Sequence, residues 1–147
     1  MSSWNANTLI AGSPAEIFEQ LTDPESIARW APIPFDVVSL EGARLEAGSH
    51  ARVAGRLAGQ SVEFDVDVVS ASGDRLELVA RGPIAIEVLY ELRPAGSACA
   101  LEASVSVRGR GLLGRVLAKA TETLLAGGAL RVALGRLEGE LQPALAA

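Results

Sequence analysis

Residues 111–142, "GLLGRVLAKATETLLAGGALRVALGRLEGELQ", decide how the rest of this 147-residue chain must fold. Positions 116, 120, 123, 127, 130, 134, 137 and 141 alternate spacings of four and three, which puts them on one face of an α-helix. They read Val, Ala, Thr, Gly, Leu, Leu, Leu and Leu, an apolar stripe with Thr123 as its one polar member. Arg115, Lys119, Glu122, Arg136 and Glu140 fall on the opposite side. The spacing therefore predicts one long amphipathic helix with Gly127 on its buried stripe. Gly128 lies about 100° round from it, on a flank shared with Leu124 and Arg131. Each glycine in a helix interior costs about 1 kcal/mol relative to alanine. Two readings explain the pair: space kept for a ligand, or close packing of helix on sheet.

Upstream, from Phe35 to Arg110, the apolar period changes to two, the mark of strands with one covered face and one wet face. Leu76, Leu78 and Ala80 form one inward set, and Ile86, Val88, Tyr90 and Leu92 form its match. Leu101, Ala103, Val105 and Val107 continue the same face. Residues 50–72 read as a hairpin. With Gly59-Gln60 as a two-residue turn, Leu57 faces Val62, Val53 faces Val66 and Ala51 faces Val68, and Gly55 falls opposite Phe64. That register also sets Arg56 against Glu63 and Arg52 against Asp67 on the outer face. A first strand places Trp4, Ala6, Thr8 and Ile10 on one side. Two short helices follow it: Ser13-Pro14 with Glu16 is a capping box, and Asp23-Pro24 opens a second helix carrying Ile27 and Trp30.

These elements predict an α+β architecture, a six- to seven-stranded antiparallel sheet whose apolar face is covered by the one long helix. The length suits a single domain over residues 1–147. Thirteen basic and eighteen acidic residues give a net charge of −5. The scattered arginines predict no nucleic-acid groove. No apolar run reaches the length of a membrane span, and the N-terminal residues lack a secretory layout, so the expected setting is the cytoplasm. A single cysteine, Cys99, allows no internal disulfide and no metal cluster, and no cofactor is implied.

The stretch "SPAEIFEQLTDPESIARW" (13–30) and the closing helix "GLLGRVLA…ALRVALGRLEGEL" resemble the helix-grip START/Bet v 1-like superfamily (SRPBCC), in particular small bacterial polyketide cyclase/dehydrase-like proteins. The resemblance covers the whole chain. It implies a curved sheet wrapped on the C-terminal helix, with a pocket between them for a small hydrophobic or lipid-like molecule.

In such a wedge the inward side chains would be Val53, Phe64, Leu78, Ile86, Val88 and Tyr90 from the sheet. Thr123, Gly127 and Leu130 would come from the helix, Arg131 from its flank, and Trp30 and Phe35 from the open end. Tyr90 is either a core tyrosine or a polar anchor for a ligand, with Thr123 across from it. Arg29 and Arg131 either reach an anionic head group or lie along apolar surface. His50 belongs to the wet face, and Glu63, Asp65 and Asp67 form an outward acidic ladder paired with arginines. The predicted inner face holds no Asp, Glu, His, Lys or Cys. No catalytic base is visible, and Tyr90 is the one residue an enzyme would have. Ligand binding is thus the expected function. The alternatives are a polyketide cyclase or dehydratase and a partner-binding module with a filled core. A second apolar strip on the helix (Leu125, Val132, beside Leu112) leaves a homodimer open.

Overall fold

Strand alternation produces seven antiparallel strands: β1 (Ser2–Ala11), β2 (Phe35–Leu40), β3 (His50–Leu57), β4 (Gln60–Ser72), β5 (Arg75–Arg81), β6 (Ile84–Ala95) and β7 (Ala98–Gly109). They form one sheet in the order β1-β7-β6-β5-β4-β3-β2, a meander from β2 to β7 that β1 completes by pairing with β7. Helix α1 (Pro14–Thr22) follows β1, while α2 (Gly111–Ala126) and α3 (Ala129–Ala146) follow β7. This computed structural model describes residues 2–23, 25–27, 35–42, 44–57, 60–109 and 111–146, with side chains other than those at 2, 57, 112, 113, 124 and 138–146. The architecture is the α+β helix-grip fold.

The inward faces pair as their alternation requires. Leu76 lies opposite Tyr90 and Leu78 opposite Val88. Tyr90 in turn meets Ala103 and Val88 meets Val105. On β1, Trp4, Ala6, Thr8 and Ile10 share the inner side, with Ile10 fully buried. The cap of α1 forms as its sequence demands: Ser13 Oγ accepts the Glu16 N–H at 3.3 Å, and Ile17 and Leu21 are buried. Asp23 caps residues 25–27, its Oδ1 accepting the Glu25 N–H at 3.1 Å and its carbonyl the Ile27 N–H at 3.0 Å. Arg29 and Trp30 lie outside the described residues.

The β3–β4 register differs by two residues from the one the turn residues suggest. Leu57 pairs with Gln60, so Gly55 faces Val62, Val53 faces Phe64 and Ala51 faces Val66. Arg52 accordingly meets Asp65 rather than Asp67, with 3.2 Å between them. A shift of two preserves every side chain's face, which is why the apolar pattern cannot tell the two registers apart. Phe64 does cover a glycine, but it is Gly82 in the β5–β6 turn: a Cβ there would lie 2.8 Å from the Phe64 ring.

The largest departure is in the C-terminal helix, which is two helices. Gly128 has φ +93°, the left-handed region where L side chains are strained. Its N–H returns to the Leu125 carbonyl at 3.1 Å, as expected of a glycine just past a helix end. Val132 then donates to the Gly128 carbonyl at 3.0 Å, starting α3. The buried face is Leu117, Ala118, Thr121 and Leu125 in α2, and Leu130, Ala133, Leu134 and Leu137 in α3. At about 100° per residue, a straight helix carrying the α3 stripe backward would miss the α2 stripe by roughly 150°. The stripe over 130, 134 and 137 is therefore correct, but its continuation through 127, 123, 120 and 116 is not. Leu125 is buried and Val132 exposed, so these two do not form one outward strip.

Helix α2 begins almost in backbone contact with the sheet. A Cβ on Gly109 would lie 2.3 Å from the Gly114 carbonyl oxygen and 2.9 Å from the Ala118 Cβ, and one on Gly114 would lie 2.7 Å from the Pro83 oxygen. By contrast, Gly135 is exposed inside α3 with nothing within 4 Å of its absent Cβ. Gly109→Ala should lower stability by about 3 kcal/mol through overpacking, whereas Gly135→Ala should raise it by about 0.5–1 kcal/mol through helix propensity. Urea unfolding of the two variants measures this, and equal effects would contradict the packing described.

Candidate functional site

Helix α2 lies chiefly against β7, with smaller contacts to β6, β1 and β3, while α3 runs chiefly along β1. Cover over the inner face is correspondingly uneven. On β7, Leu101, Ala103, Val105 and Val107 are all 0–2% exposed. Farther across the sheet, Val53, Val66, Leu78, Ala80 and Val88 are only half-buried although they point the same way. Val66 pairs with Ala80 across β4–β5, and Leu78 with Val88 across β5–β6, so the half-covered strip is continuous. Aliphatic side chains in the middle strands of a sheet normally close over completely. Here they leave a partly covered apolar surface on the inner face of the sheet.

Of the residues expected at a pocket, the sheet supplies Val53, Leu78 and Val88 to this strip and Phe64, Ile86 and Tyr90 to the buried layer beside it. Phe35 is half-buried at the start of β2, opposite Gly55, and Leu130 is buried in α3. Three expectations fail. Thr123, Gly127 and Arg131 are exposed, because the break at Gly128 rotates the helical faces. Thr123 directs its hydroxyl to the Lys119 carbonyl at 2.9 Å. The buried threonine of α2 is Thr121, whose hydroxyl donates to the Leu117 carbonyl at 2.9 Å. Val66 and Ala80, which complete the strip, are not among the expected pocket residues. Their alternation was legible, but the shortfall of cover above them was not.

Electrostatically the inner face is quiet. Among the described residues its titratable side chains are Tyr90 and, against the expectation of an inner face without cysteine, Cys99, which begins the inward row of β7 and is fully buried. Burial pushes the Tyr90 phenol well above its ordinary range and raises the Cys99 thiol, so both are neutral near pH 7. Charge is concentrated on the outer face. Arg52 reaches Asp65 at 3.2 Å and Glu63 at 3.9 Å, and Asp67 is held between Arg81 and His50. An open cleft of about 590 Å³ lies elsewhere, between the start of α1 and the β6–β7 turn, lined by Gly12, Ser13, Glu16, Pro94, Gly96 and Ser97 among others. It borders solvent-exposed loop ends rather than the apolar strip.

A helix-grip fold with an uncharged, partly open inner face defines a class of proteins built around the space between sheet and helix. The chain belongs to the polyketide cyclase/dehydrase and lipid transport family, whose model matches residues 2–142. No curated protein matches it. Among solved structures it is similar to protein CV1439 from Chromobacterium violaceum, with 15% identity, a TM-score of 0.69, and 95% of this chain and 96% of that chain covered. It is also similar to DynU16 from the dynemicin biosynthetic locus, with 23% identity, a TM-score of 0.63, and 97% of this chain and 48% of that chain covered. Ara h 8.0201 shares the architecture at 13% identity, with a TM-score of 0.60 and coverage of 92% and 97%. At these identities the likeness is one of fold.

The outer face yields a pH prediction. The hydrogen bond from Arg81, aided by His50, holds the Asp67 carboxyl below its usual range. Its stabilisation is therefore full above the unfolded-state value near 4 and is lost as pH falls through the lower folded value. Asp67→Asn should be less stable than the parent at pH 7, with the difference shrinking as pH drops below about 4. Urea midpoints across that range test this, and a difference independent of pH would remove the carboxylate as its source.

Proposed function

We propose that this protein binds a small apolar or lipid-like molecule against the strip formed by Val53, Val66, Leu78, Ala80 and Val88. The observation that carries the reading is that these five aliphatic side chains on β3–β6 stay half-covered among buried neighbours such as Phe64, Val68, Leu76, Ile86 and Tyr90, whereas the inner face of β7 is covered completely. A ligand lying there would remove apolar surface from water at about 25 cal/mol per Å². It would meet no charge on the described inner face. Membership of a family described by lipid transport as well as cyclase and dehydrase activity supports this reading. A cyclase or dehydratase would have Tyr90 as its proton donor. Burial strengthens the O–H against ionisation, which makes that phenol a poor acid and better suited to orienting a ligand.

Thermal melting against fatty acids, sterols, quinones and aromatic polyketides provides the test. A ligand at about a hundred times its Kd stabilises by about 2.7 kcal/mol, or roughly 5–10 °C for a chain of this size. Val88→Trp and Leu78→Phe should fill the space and abolish the shift while the far-ultraviolet spectrum is retained. Tyr90→Phe should keep most of the binding. A parent protein whose melting responds to none of these compounds has a filled core, and the proposal fails.

A further inference from the structure

Charge is distributed very unevenly along the chain. Between Arg108 and Arg136 there are six basic residues and one acidic, while the rest of the sequence holds seven basic and seventeen acidic. The helices turn most of this positive charge outward. Arg115 and Lys119 on α2, and Arg131 and Arg136 on α3, are exposed on the sides facing away from the sheet. Among the described residues none of the four enters an ion pair, whereas Arg52, Arg75, Arg81 and Arg93 on the outer sheet face all do. Beside the four cations stand Val116 and Val132, each 53% exposed. The exposed residues between them, Thr123, Ala126, Gly127 and Gly135, are small and uncharged, and the half-buried Glu122 is the one acidic side chain described on that side of α2.

We infer that the outward face of α2 and α3 docks on an anionic lipid surface. Spread cations interspersed with isolated apolar side chains suit a fluid, negatively charged interface, to which helices lie parallel. A protein partner would instead favour a contiguous apolar centre, and here the two valines stand on separate helices. No helix of the described residues is long and apolar enough to cross a membrane, so the contact is peripheral. The acidic remainder of the molecule is repelled by the same surface, which orients the helical face toward it. The inference is independent of the apolar strip on the other side of these helices.

The test is co-sedimentation of the ligand-free full chain with vesicles of phosphatidylcholine and phosphatidylglycerol in equal parts, and with vesicles of phosphatidylcholine alone. Binding is expected to the anionic vesicles only, and to weaken as salt is raised. Each basic residue is expected to contribute about fivefold to partitioning, so the variant with Arg115, Lys119, Arg131 and Arg136 all changed to Gln should lose about a hundredfold or more. Its melting response to apolar compounds should be unchanged, separating this outcome from failure of the binding proposal. A variant that partitions like the parent overturns the inference, as does equal binding to neutral vesicles or no binding to either. Retention on poly-L-glutamate without vesicle binding would assign the face to an acidic protein and overturn it equally.

Discussion

Everything on the inner side of the sheet depends on how closely α2 approaches the end of β7. Gly109 and Gly114 bring the two backbones within a distance that no Cβ tolerates, and the Pro83 carbonyl closes the contact from the β5–β6 turn. That clamp presses Leu117, Ala118 and Thr121 onto β7 and buries its inner face completely. A helix pinned there leaves Val53, Val66, Leu78, Ala80 and Val88 half-covered among buried neighbours in the middle strands. The half-buried strip over β3–β6 follows from the clamp.

The break at Gly127-Gly128 is the second half of the same geometry. Beyond it, α3 runs along β1, the neighbour of β7, and buries Leu130, Ala133, Leu134 and Leu137. The left-handed Gly128 is what allows the chain to change direction without leaving helical hydrogen bonding for more than a turn. Because α2 packs chiefly on β7 and α3 on its neighbour β1, their other faces point away from the sheet together. The uncharged interior and the basic exterior of the helical layer are thus opposite sides of one structural decision.

Much of the inward face of the sheet is legible in the chain. Val53, Phe64, Leu78, Ile86, Val88 and Tyr90 all point inward, because a period of two permits no other arrangement once one face is apolar. The outward acidic ladder was equally plain, and its pairing with arginines survives the two-residue change in register. The helical contribution is not legible in the same way, for a physical reason. Carrying one helical phase through the two glycines puts Thr123 and Gly127 inward, and that phase breaks where Gly128 takes positive φ. The signal was present: Thr123 lies about 40° from Lys119 on a helix, on the wet side of α2.

The sequence by itself determined the class of fold, the sidedness of β1 and of β3 to β7, the caps of the early helices and, among the described residues, the absence of charge from the inner face. Each of these follows from local spacing and side-chain chemistry. Tertiary structure alone decided the hairpin register, the direction of α3 and which aliphatic residues remain half-covered. Those depend on distances between elements far apart in the chain: a two-residue slip keeps all faces, a glycine pair fits either a continuous or a broken helix, and cover over Leu78 and Val88 is set by a clamp at Gly109 and Gly114.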